Sequence, residues 1–221
     1  MLNFTELTVN LNIKKPLQFQ HSPEIIGNML KKAGNIEEEK YVFSNLGKAG
    51  NDGYFRGKGS FKLRSLDNVL IEDFAENLKD YEDDYFKVNF IMASHKPFEK
   101  IKSLYSLNPV FLKMENGMFW TFNSSGNIEE FVNLLQEDLL DKFELYFEEK
   151  LNIKETFVKF LNFKNEKPFT YIKDGKKCFG YKIYIEPKED ETSQILAFIA
   201  VSNGLGHLNE EVGGGFSNIL G

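Results

Sequence analysis

The chain has 221 residues, 42% of them hydrophobic and 27% charged, with a formal net charge of −6. This length fits one large domain or two small ones, and the apolar fraction predicts a packed core and excludes an intrinsically disordered chain. There is no run of about 20 apolar residues, no signal-peptide core and no cysteine besides Cys178, which argues against a membrane span, secretion and a cysteine-rich metal cluster.

Strand and helix patterns alternate through the first hundred residues. Residues 2–14 alternate apolar and polar side chains, which is typical of a strand, and Ser22-Pro23-Glu24 predicts a helix start. The predicted elements run strand, helix, strand, strand, helix, strand over residues 2–14, 23–32, 41–43, 60–64, 67–78 and 85–93. This order is that of the split βαβ, or ferredoxin-like, unit, whose sheet is also the basis of RRM domains.

The second half predicts a modified copy of the same unit. A hairpin turns at Asn116-Gly117, and residues 127–150 form a long amphipathic helix. Further strands are predicted over residues 156–163, 177–185, 195–201 and 214–220. We therefore expect an α+β protein of two tandem ferredoxin-like (RRM-like) units, residues 1–100 and 106–221, the second of them modified.

Basic residues are concentrated in two stretches although the chain is acidic overall. Residues 40–64 carry six basic residues against one acid, and residues 154–182 carry eight lysines against three acids. An anionic partner would meet these stretches rather than the average charge. The candidate side chains for binding such a partner are Lys40, Arg56, Lys58, Arg64, Lys173, Lys176 and Lys177. The alternative is that these segments are solvated surface.

One basic segment, Arg56-Gly57-Lys58-Gly59, predicts a glycine-broken loop. The guanidinium fork of an arginine suits two-point contact with phosphate, so this loop is the leading candidate for an anion grip. An exposed charged hairpin is the alternative.

Two glycine clusters lie in a predicted glycine-rich loop, residues 204–217, with a strand expected on either side. Gly204 and Gly206 belong to the first cluster, and Gly214 and Gly215 to the second. Because glycine has no Cβ, backbone amides in such a loop can approach a phosphate closely. The loop opens no predicted helix and holds no Gly-Lys-Ser/Thr, which excludes a dinucleotide fingerprint and a P-loop. A glycine-rich hairpin without a ligand is the alternative.

Gly204-Leu205-Gly206 and Gly214-Gly215-Phe216-Ser217, at the end of a double unit, resemble the closing loop of the CRISPR-associated RAMP endoribonuclease family. Tyr41-Val42-Phe43-Ser44-Asn45-Leu46 is similar to the strand after that family's first helix. Asn108-Pro109-Val110 is similar to the strand that opens its second unit, and Asp141-Lys142 to the end of its long helix. The resemblance follows the chain in order over nearly its whole length.

This resemblance implies cleavage of precursor CRISPR RNA within its repeats, by attack of a ribose 2′-hydroxyl on the adjacent phosphate. DNA lacks that hydroxyl and would be bound at most. The implied partner is CRISPR repeat RNA, with other effector subunits or a second copy of the chain as further partners. The implied setting is cytoplasmic, without membrane, metal or cofactor. The catalytic candidates are His21, Lys31, Tyr41 and His207, and the basic residues and glycines named above would contact RNA.

Two alternatives stay open at this point. Members of the family often carry a histidine in or just after the first helix, whereas residues 23–40 contain none. The chain could therefore be a non-catalytic RAMP subunit that binds CRISPR RNA in an effector complex. A ferredoxin-like enzyme or ligand sensor unrelated to RNA is the other alternative, since a fold does not fix a function. Structural roles for His21, Tyr41 and His207 also stay open.

Overall fold

The computed structural model describes residues 2–34, 40–173 and 175–220, and the chain divides into two compact units. Of these described residues, the first unit comprises those between 2 and 98 together with 210–213, and the second comprises those between 99 and 209 together with 214–220. No helix among the described residues is both long enough and apolar enough to cross a membrane.

The first unit is an antiparallel four-stranded sheet with two helices. Its elements are β1 (Asn3–Gln18), α1 (Ser22–Gly34), β2 (Val42–Phe43), β3 (Tyr54–Ser65), α2 (Asn68–Leu78) and β4 (Phe86–Pro97). The strands lie in the order β2-β3-β1-β4, with β1 and β3 at the centre. This is the split βαβ arrangement, so the predicted fold of this half is confirmed.

Alternation along β1 decides which face of this sheet is buried. Leu7, Val9 and Leu11 are fully buried and belong to one hydrophobic cluster with residues of α1 and α2. Helix α2 begins within one residue of its predicted start, and the Asp67 carboxylate caps it by accepting a hydrogen bond from the Leu70 backbone N–H at 3.1 Å. The apolar residues that alternate along the sequence of β1 therefore form part of the core of the first unit.

The second unit has a main sheet with the same strand order as the sheet of the first unit. Its elements are β5 (Ser103–Ser106), β6 (Val110–Phe111), α3 (Ile128–Phe147), β7 (Val158–Phe163), β8 (Phe169–Lys173), β9 (Lys176–Tyr181), β10 (Ile183–Pro187), α4 (Glu191–Asn203), α5 (Asn209–Val212, most of which groups with the first unit) and β11 (Ser217–Leu220). The main sheet runs β11-β5-β10-β7, and β6-β9-β8 form a small additional sheet. Without that addition the order is β5, α3, β7, β10, α4, β11, a second split βαβ unit.

Helix α4 corrects one prediction, since residues 195–201 were expected to form a strand. The run is buried on every side of the helix, so its apolar residues show no periodicity by which a helix and a strand could be distinguished. A cap marks the helix start: the Asp190 carboxylate accepts a hydrogen bond from the Ser193 backbone N–H at 3.0 Å. The glycine-rich segment therefore follows a helix and not a strand.

Two other predicted boundaries also change. The Arg56–Gly59 segment, predicted as a loop, lies inside β3, where Lys58 pairs with Asn12 of β1, and a register irregularity beside Gly57 accommodates that glycine's φ of +69°. The strand predicted over residues 177–185 is divided into β9 and β10, which belong to different sheets. Glycines inside β3 caused the first error, because they are equally typical of turns and of irregular strands.

Candidate nucleic-acid interface

A basic groove lies on the first unit along one edge of β3. Strand β2 pairs with β3 only at Val42 and Phe43, so the stretch of β3 around Lys58 has no strand beside it on that side among the described residues. The loop that carries Lys48 borders this open edge, and the resulting groove has a volume of about 460 Å³. Lys48, Arg56 and Lys58 line it, so its charged side chains are cationic.

Arg56 is held in place at the rim of this groove. Its guanidinium forms an ion pair with Asp52 at 2.7 Å and lies over the Tyr54 ring, 5.2 Å from the ring centroid. The hydrogen bond from Arg56 lowers the pKa of the Asp52 carboxyl below its ordinary value. About half of the Arg56 side chain stays exposed, so donors of the fork remain accessible to a phosphate.

Asn10 adds a polar group that the sequence did not single out. It lies on β1 and lines the same groove, and its buried side-chain nitrogen has no hydrogen-bond partner among the described residues. A buried donor without a partner is unfavourable unless another molecule accepts its hydrogen bond. Sequence reasoning thus missed three residues of the groove, Asn10, Lys48 and Tyr54. The glycines around Lys48 are the sequence feature that could have drawn attention to this region.

His21 lies near the same end of the sheet. Gln18 pairs with Tyr54 across β1 and β3, and the His21 backbone N–H donates to the Gln18 carbonyl at 3.0 Å. The His21 carbonyl in turn accepts from Ile25 at the start of α1. Its exposed imidazole forms no hydrogen bond with any described residue. The chain path therefore brings an accessible imidazole to the end of the sheet where Tyr54 and Arg56 lie.

Two other predicted site residues, Lys31 and Lys40, do not line the basic groove. Lys31 is exposed in the last turn of α1, ten residues after His21, which corresponds to about 15 Å along a helix axis. Lys40 precedes β2 and is half-buried, and its carbonyl accepts a hydrogen bond from the Ser65 hydroxyl. His21 and Lys31 therefore lie at opposite ends of α1.

Tyr41 is a core residue, which corrects its place among the catalytic candidates. Its side chain is 2% exposed and its ring packs edge-on against Phe74 at 5.0 Å. Its hydroxyl lies 3.5 Å from the carbonyl oxygen of Glu210, and burial, together with the charges of Glu210 and Glu211, raises its pKa far above the ordinary value of 10. Such a phenol stays protonated and is shielded from a substrate.

Arg64 also has a structural position, which replaces the predicted RNA contact. It is 5% exposed, and its Nε donates to the Glu6 carboxylate at 2.7 Å. Lys62 donates to the other oxygen of Glu6 at 2.8 Å. Burial acts to raise the pKa of Glu6, but the nearby cations outweigh it and the pKa is lowered. The three side chains form an ion-paired network on the first sheet, which we call the Glu6 network.

The glycine clusters are buried against protein backbone, which corrects their expected role as an open phosphate cradle. A Cβ on Gly215 would overlap the carbonyl oxygen of Leu205, and a Cβ on Gly206 would lie 2.5 Å from the carbonyl oxygen of Phe111. Both glycines have positive φ, 64° and 69°. Residues 204–206 and 213–217 are all buried. Close chain packing, and not a ligand, accounts for glycine at these positions.

Lys142 and Asp138 of α3 hold the first glycine cluster. The Lys142 ammonium is buried and donates to the carbonyl oxygens of Gly204 at 3.1 Å and Gly206 at 2.7 Å. Asp138 pairs with Lys142 at 2.9 Å and accepts from the Gly206 backbone N–H at 2.8 Å. The Asp141-Lys142 motif of the sequence thus contributes a lysine that anchors the glycine segment.

His207 follows this segment and is half-buried. Its backbone N–H donates to the Phe111 carbonyl at 2.8 Å, and its Nδ1 lies 3.3 Å from the same oxygen. The imidazole is therefore held beside strand β6 of the second unit. Its role in catalysis stays a prediction.

The lysines of the β8–β9 hairpin do not form one row. Lys173 pairs with Lys176, whereas Lys177 pairs with Ile172. Because paired residues share a face and neighbours along a strand alternate, Lys176 and Lys177 lie on opposite faces. Lys176 and Lys177 are exposed and Lys173 is half-buried. At most two of the three can contact one nucleic-acid backbone on a single face.

Comparisons with solved structures identify the architecture. A CRISPR-associated protein Cas6 is 19% identical, with a TM-score of 0.72 over 99% of this chain and all of that one. The fold is that of the Cas6 and RAMP proteins. A RAMP protein described as binding different RNA substrates is 17% identical, with a TM-score of 0.70 over 98% of this chain and all of that one. Cas6 of Thermus thermophilus is 14% identical, with a TM-score of 0.62 over 98% of both chains.

No protein-family model and no curated protein sequence matches the chain. The similarity therefore lies in the fold, and it includes both ferredoxin-like units, because the coverage is nearly complete on both sides.

Proposed function

We propose that the chain is a CRISPR-associated endoribonuclease that binds CRISPR repeat RNA and cleaves it without a metal ion. The observation that carries this proposal is the match of both units, end to end, to Cas6 and RAMP structures. Cas6 neighbours include complexes with a substrate mimic and with a product. The basic groove supports the same function, because a cationic groove on an acidic chain suits an anionic polymer.

The proposed reaction uses the RNA itself as nucleophile. The 2′-oxygen bonds to the adjacent phosphorus as the bond from phosphorus to the 5′-oxygen breaks, which leaves a 2′,3′-cyclic phosphate and a 5′-hydroxyl. His21, whose imidazole is exposed, takes the proton from the 2′-hydroxyl, and a water molecule gives a proton to the leaving 5′-oxygen to complete the 5′-hydroxyl. Arg56 and Lys58 contribute positive charge that stabilises the phosphorane-like transition state.

A cleavage assay with repeat RNA in excess chelator tests the function. We expect one cut with a cyclic phosphate end. An RNA with a single 2′-deoxy nucleotide on the 5′ side of the cut should bind equally well and stay intact, because only the nucleophile is missing. Cleavage of the deoxy substrate, or cleavage only with added metal, would contradict the proposal.

Substitution of His21 tests the proposed base. His21→Ala should slow cleavage by about 10²- to 10⁴-fold at unchanged RNA affinity. His95→Ala is a matched control, since His95 is also exposed on the same unit but its Nδ1 lies 2.9 Å from the hydroxyl of Thr5 on β1. Equal cleavage rates in both variants would remove His21 from the mechanism.

A non-catalytic RNA-binding subunit is the second candidate function. Two observations favour it: the described part of α1 contains no histidine, and Tyr41 lies in the core. The same assay separates the two, because this candidate predicts repeat binding without any cut.

A further inference from the structure

Two tyrosines lie side by side on the main sheet of the second unit. Tyr105 of β5 and Tyr184 of β10 are direct register partners on the two central strands. Their Cβ atoms are therefore about 4.5–5.5 Å apart. Leu104 and Ile185, the next pair along the strands, are buried and face the core side, so the tyrosines are on the opposite face.

The residues that neighbour the two tyrosines on this face of the sheet are polar or aromatic. Asn162 pairs with Tyr184 on one side, and Asn218 pairs with Tyr105 on the other. Phe160, 48% exposed, packs edge-on against Tyr184 with ring centroids 6.1 Å apart. Both tyrosines are partly exposed. We call Tyr105, Tyr184 and Phe160 the tyrosine platform.

Positive charge lies over and beside the platform. The exposed Lys164 ammonium is 5.1 Å from the centroid of the Tyr184 ring, so a solvated side chain, and not packed core, covers that ring. A neighbouring cavity of about 360 Å³ is lined in part by Tyr184. Its charged lining residues are Lys100, Lys102, Lys159, Glu186 and Glu189. Three lysines against two glutamates leave it net positive.

We propose that the tyrosine platform binds two successive unpaired nucleotides of single-stranded RNA. Their bases stack on Tyr105 and Tyr184, which are spaced for neighbouring nucleotides, and Lys164 moves from the ring to the phosphate between them. A lysine–ring contact at an exposed site contributes only about 0.5–1 kcal/mol, so its displacement is compatible with binding. The proposal deepens the RNA function proposed above and rests on it.

The chemistry of the face favours RNA over a protein partner. The core of a protein interface is depleted in charged residues, whereas this face carries amides, lysines and Glu186, which accepts a hydrogen bond from the Tyr184 hydroxyl at 3.0 Å. Aromatic rings with cations beside them are typical of single-strand binding, and amide side chains can hydrogen-bond base edges. Double-stranded RNA would not bind the tyrosine platform in this way, because its bases are stacked on each other.

The test uses an unstructured ten-nucleotide RNA that carries one 2-aminopurine, whose fluorescence falls on stacking. Tyr184→Leu and Tyr105→Leu keep apolar volume but remove the ring, and each should weaken binding about 5- to 150-fold and restore the fluorescence. Tyr184→Phe keeps the ring and should bind like the unsubstituted protein. Phe90→Leu, at an exposed aromatic on β4 of the first unit, is the matched control. Thermal unfolding confirms that each variant is folded.

The outcomes separate this proposal from the function on which it rests. Equal binding by the leucine variants would overturn the platform, even if repeat RNA is still cleaved. Tyrosine-dependent binding of the oligonucleotide without recognition or cleavage of repeat RNA would support the platform and contradict the endoribonuclease. Absence of oligonucleotide binding, or self-association of the chain that depends on Tyr184, would overturn the platform.

Discussion

The two units share one strand order but differ in what the centre of the sheet presents. On the first sheet the Glu6 network, an ion pair and a further lysine contact, occupies positions on the central strands β1 and β3. On the second sheet the corresponding central strands β5 and β10 present Tyr105 and Tyr184. The shared topology thus gives the two sheets comparable central positions. The side chains at these positions stabilise the first unit, whereas those on the second sheet are suited to bind RNA.

Loss of the Glu6 carboxylate should have the largest effect. Glu6→Leu removes the carboxylate that pairs with the buried Arg64 guanidinium, and breaking a buried ion pair in this way costs about 3–5 kcal/mol of unfolding free energy. Urea denaturation measures the change. The double variant Glu6→Leu with Arg64→Met should recover part of the loss, because no charge then stays buried. A single variant as stable as the unsubstituted protein would show that the network is not structural.

Gly215→Ala should destabilise the second unit nearly as much. The new Cβ would overlap the Leu205 carbonyl oxygen at a positive φ, so we expect a loss on the order of 3 kcal/mol. Gly117→Ala is the control: its φ of +79° is also positive, but no atom lies within 4 Å of the added Cβ. It should lose only about 1–2 kcal/mol. Equal losses in thermal unfolding would mean that backbone strain, and not close packing, explains Gly215.

The basic groove predicts an effect on RNA affinity that depends on salt. Removing Arg56 or Lys58 should weaken repeat RNA binding and reduce the slope of log K against log salt by about one for each lost phosphate contact. Lys79→Ala, at an exposed lysine at the end of α2, should leave the slope unchanged. Filter binding over a salt series measures it. Identical slopes in all variants would place the RNA elsewhere on the chain.

Acid should weaken the first unit through Glu6. Its pKa is lowered in the folded protein, so the unfolded chain binds the proton more tightly and protonation favours unfolding. The stability that Glu6 contributes is present above its ordinary pKa of 4.5 and is lost as the pH falls through the lower folded value. Urea denaturation from pH 6 to pH 3 should therefore show a smaller loss in the Glu6→Leu, Arg64→Met variant than in the unsubstituted protein.

The smallest effect is expected for Phe90→Ala on the edge strand of the first sheet. Phe90 is 54% exposed, so unfolding free energy should change by less than about 0.5 kcal/mol and RNA affinity not at all. A loss of affinity as large as that of Tyr184→Leu would mean that both sheets bind RNA through aromatic residues, which would remove the difference between them.

Much of the fold follows from local sequence signals. The Asp67 and Asn127 caps mark the starts of α2 and α3, and both side chains accept hydrogen bonds from the first helical turn. The alternation in β1 predicts its buried face. Helix α4 was mistaken for a strand because it is buried on all sides, so the second unit was predicted without its second helix.

The site was less predictable because its parts are distant in the sequence. Tyr105 lies in β5, which falls in the region expected to link the units, so its pairing with Tyr184 could not be anticipated. The glycines near the end of the sequence were predicted to contact RNA, and the Leu205 and Phe111 carbonyls that explain them instead became visible only in the structure. Composition also cannot tell the buried Arg64 from the exposed Arg56.

The assignment of residues 210–213 to the first unit has a consequence for synthesis on the ribosome. The ribosome has synthesised all four strands of that unit once it reaches residue 97. Gly27 of α1, however, packs against the Glu211 carbonyl, which is synthesised much later. Until then the nascent chain exposes that side of α1. A chaperone that shields apolar helices during translation should therefore associate with the first unit until almost the entire chain has emerged.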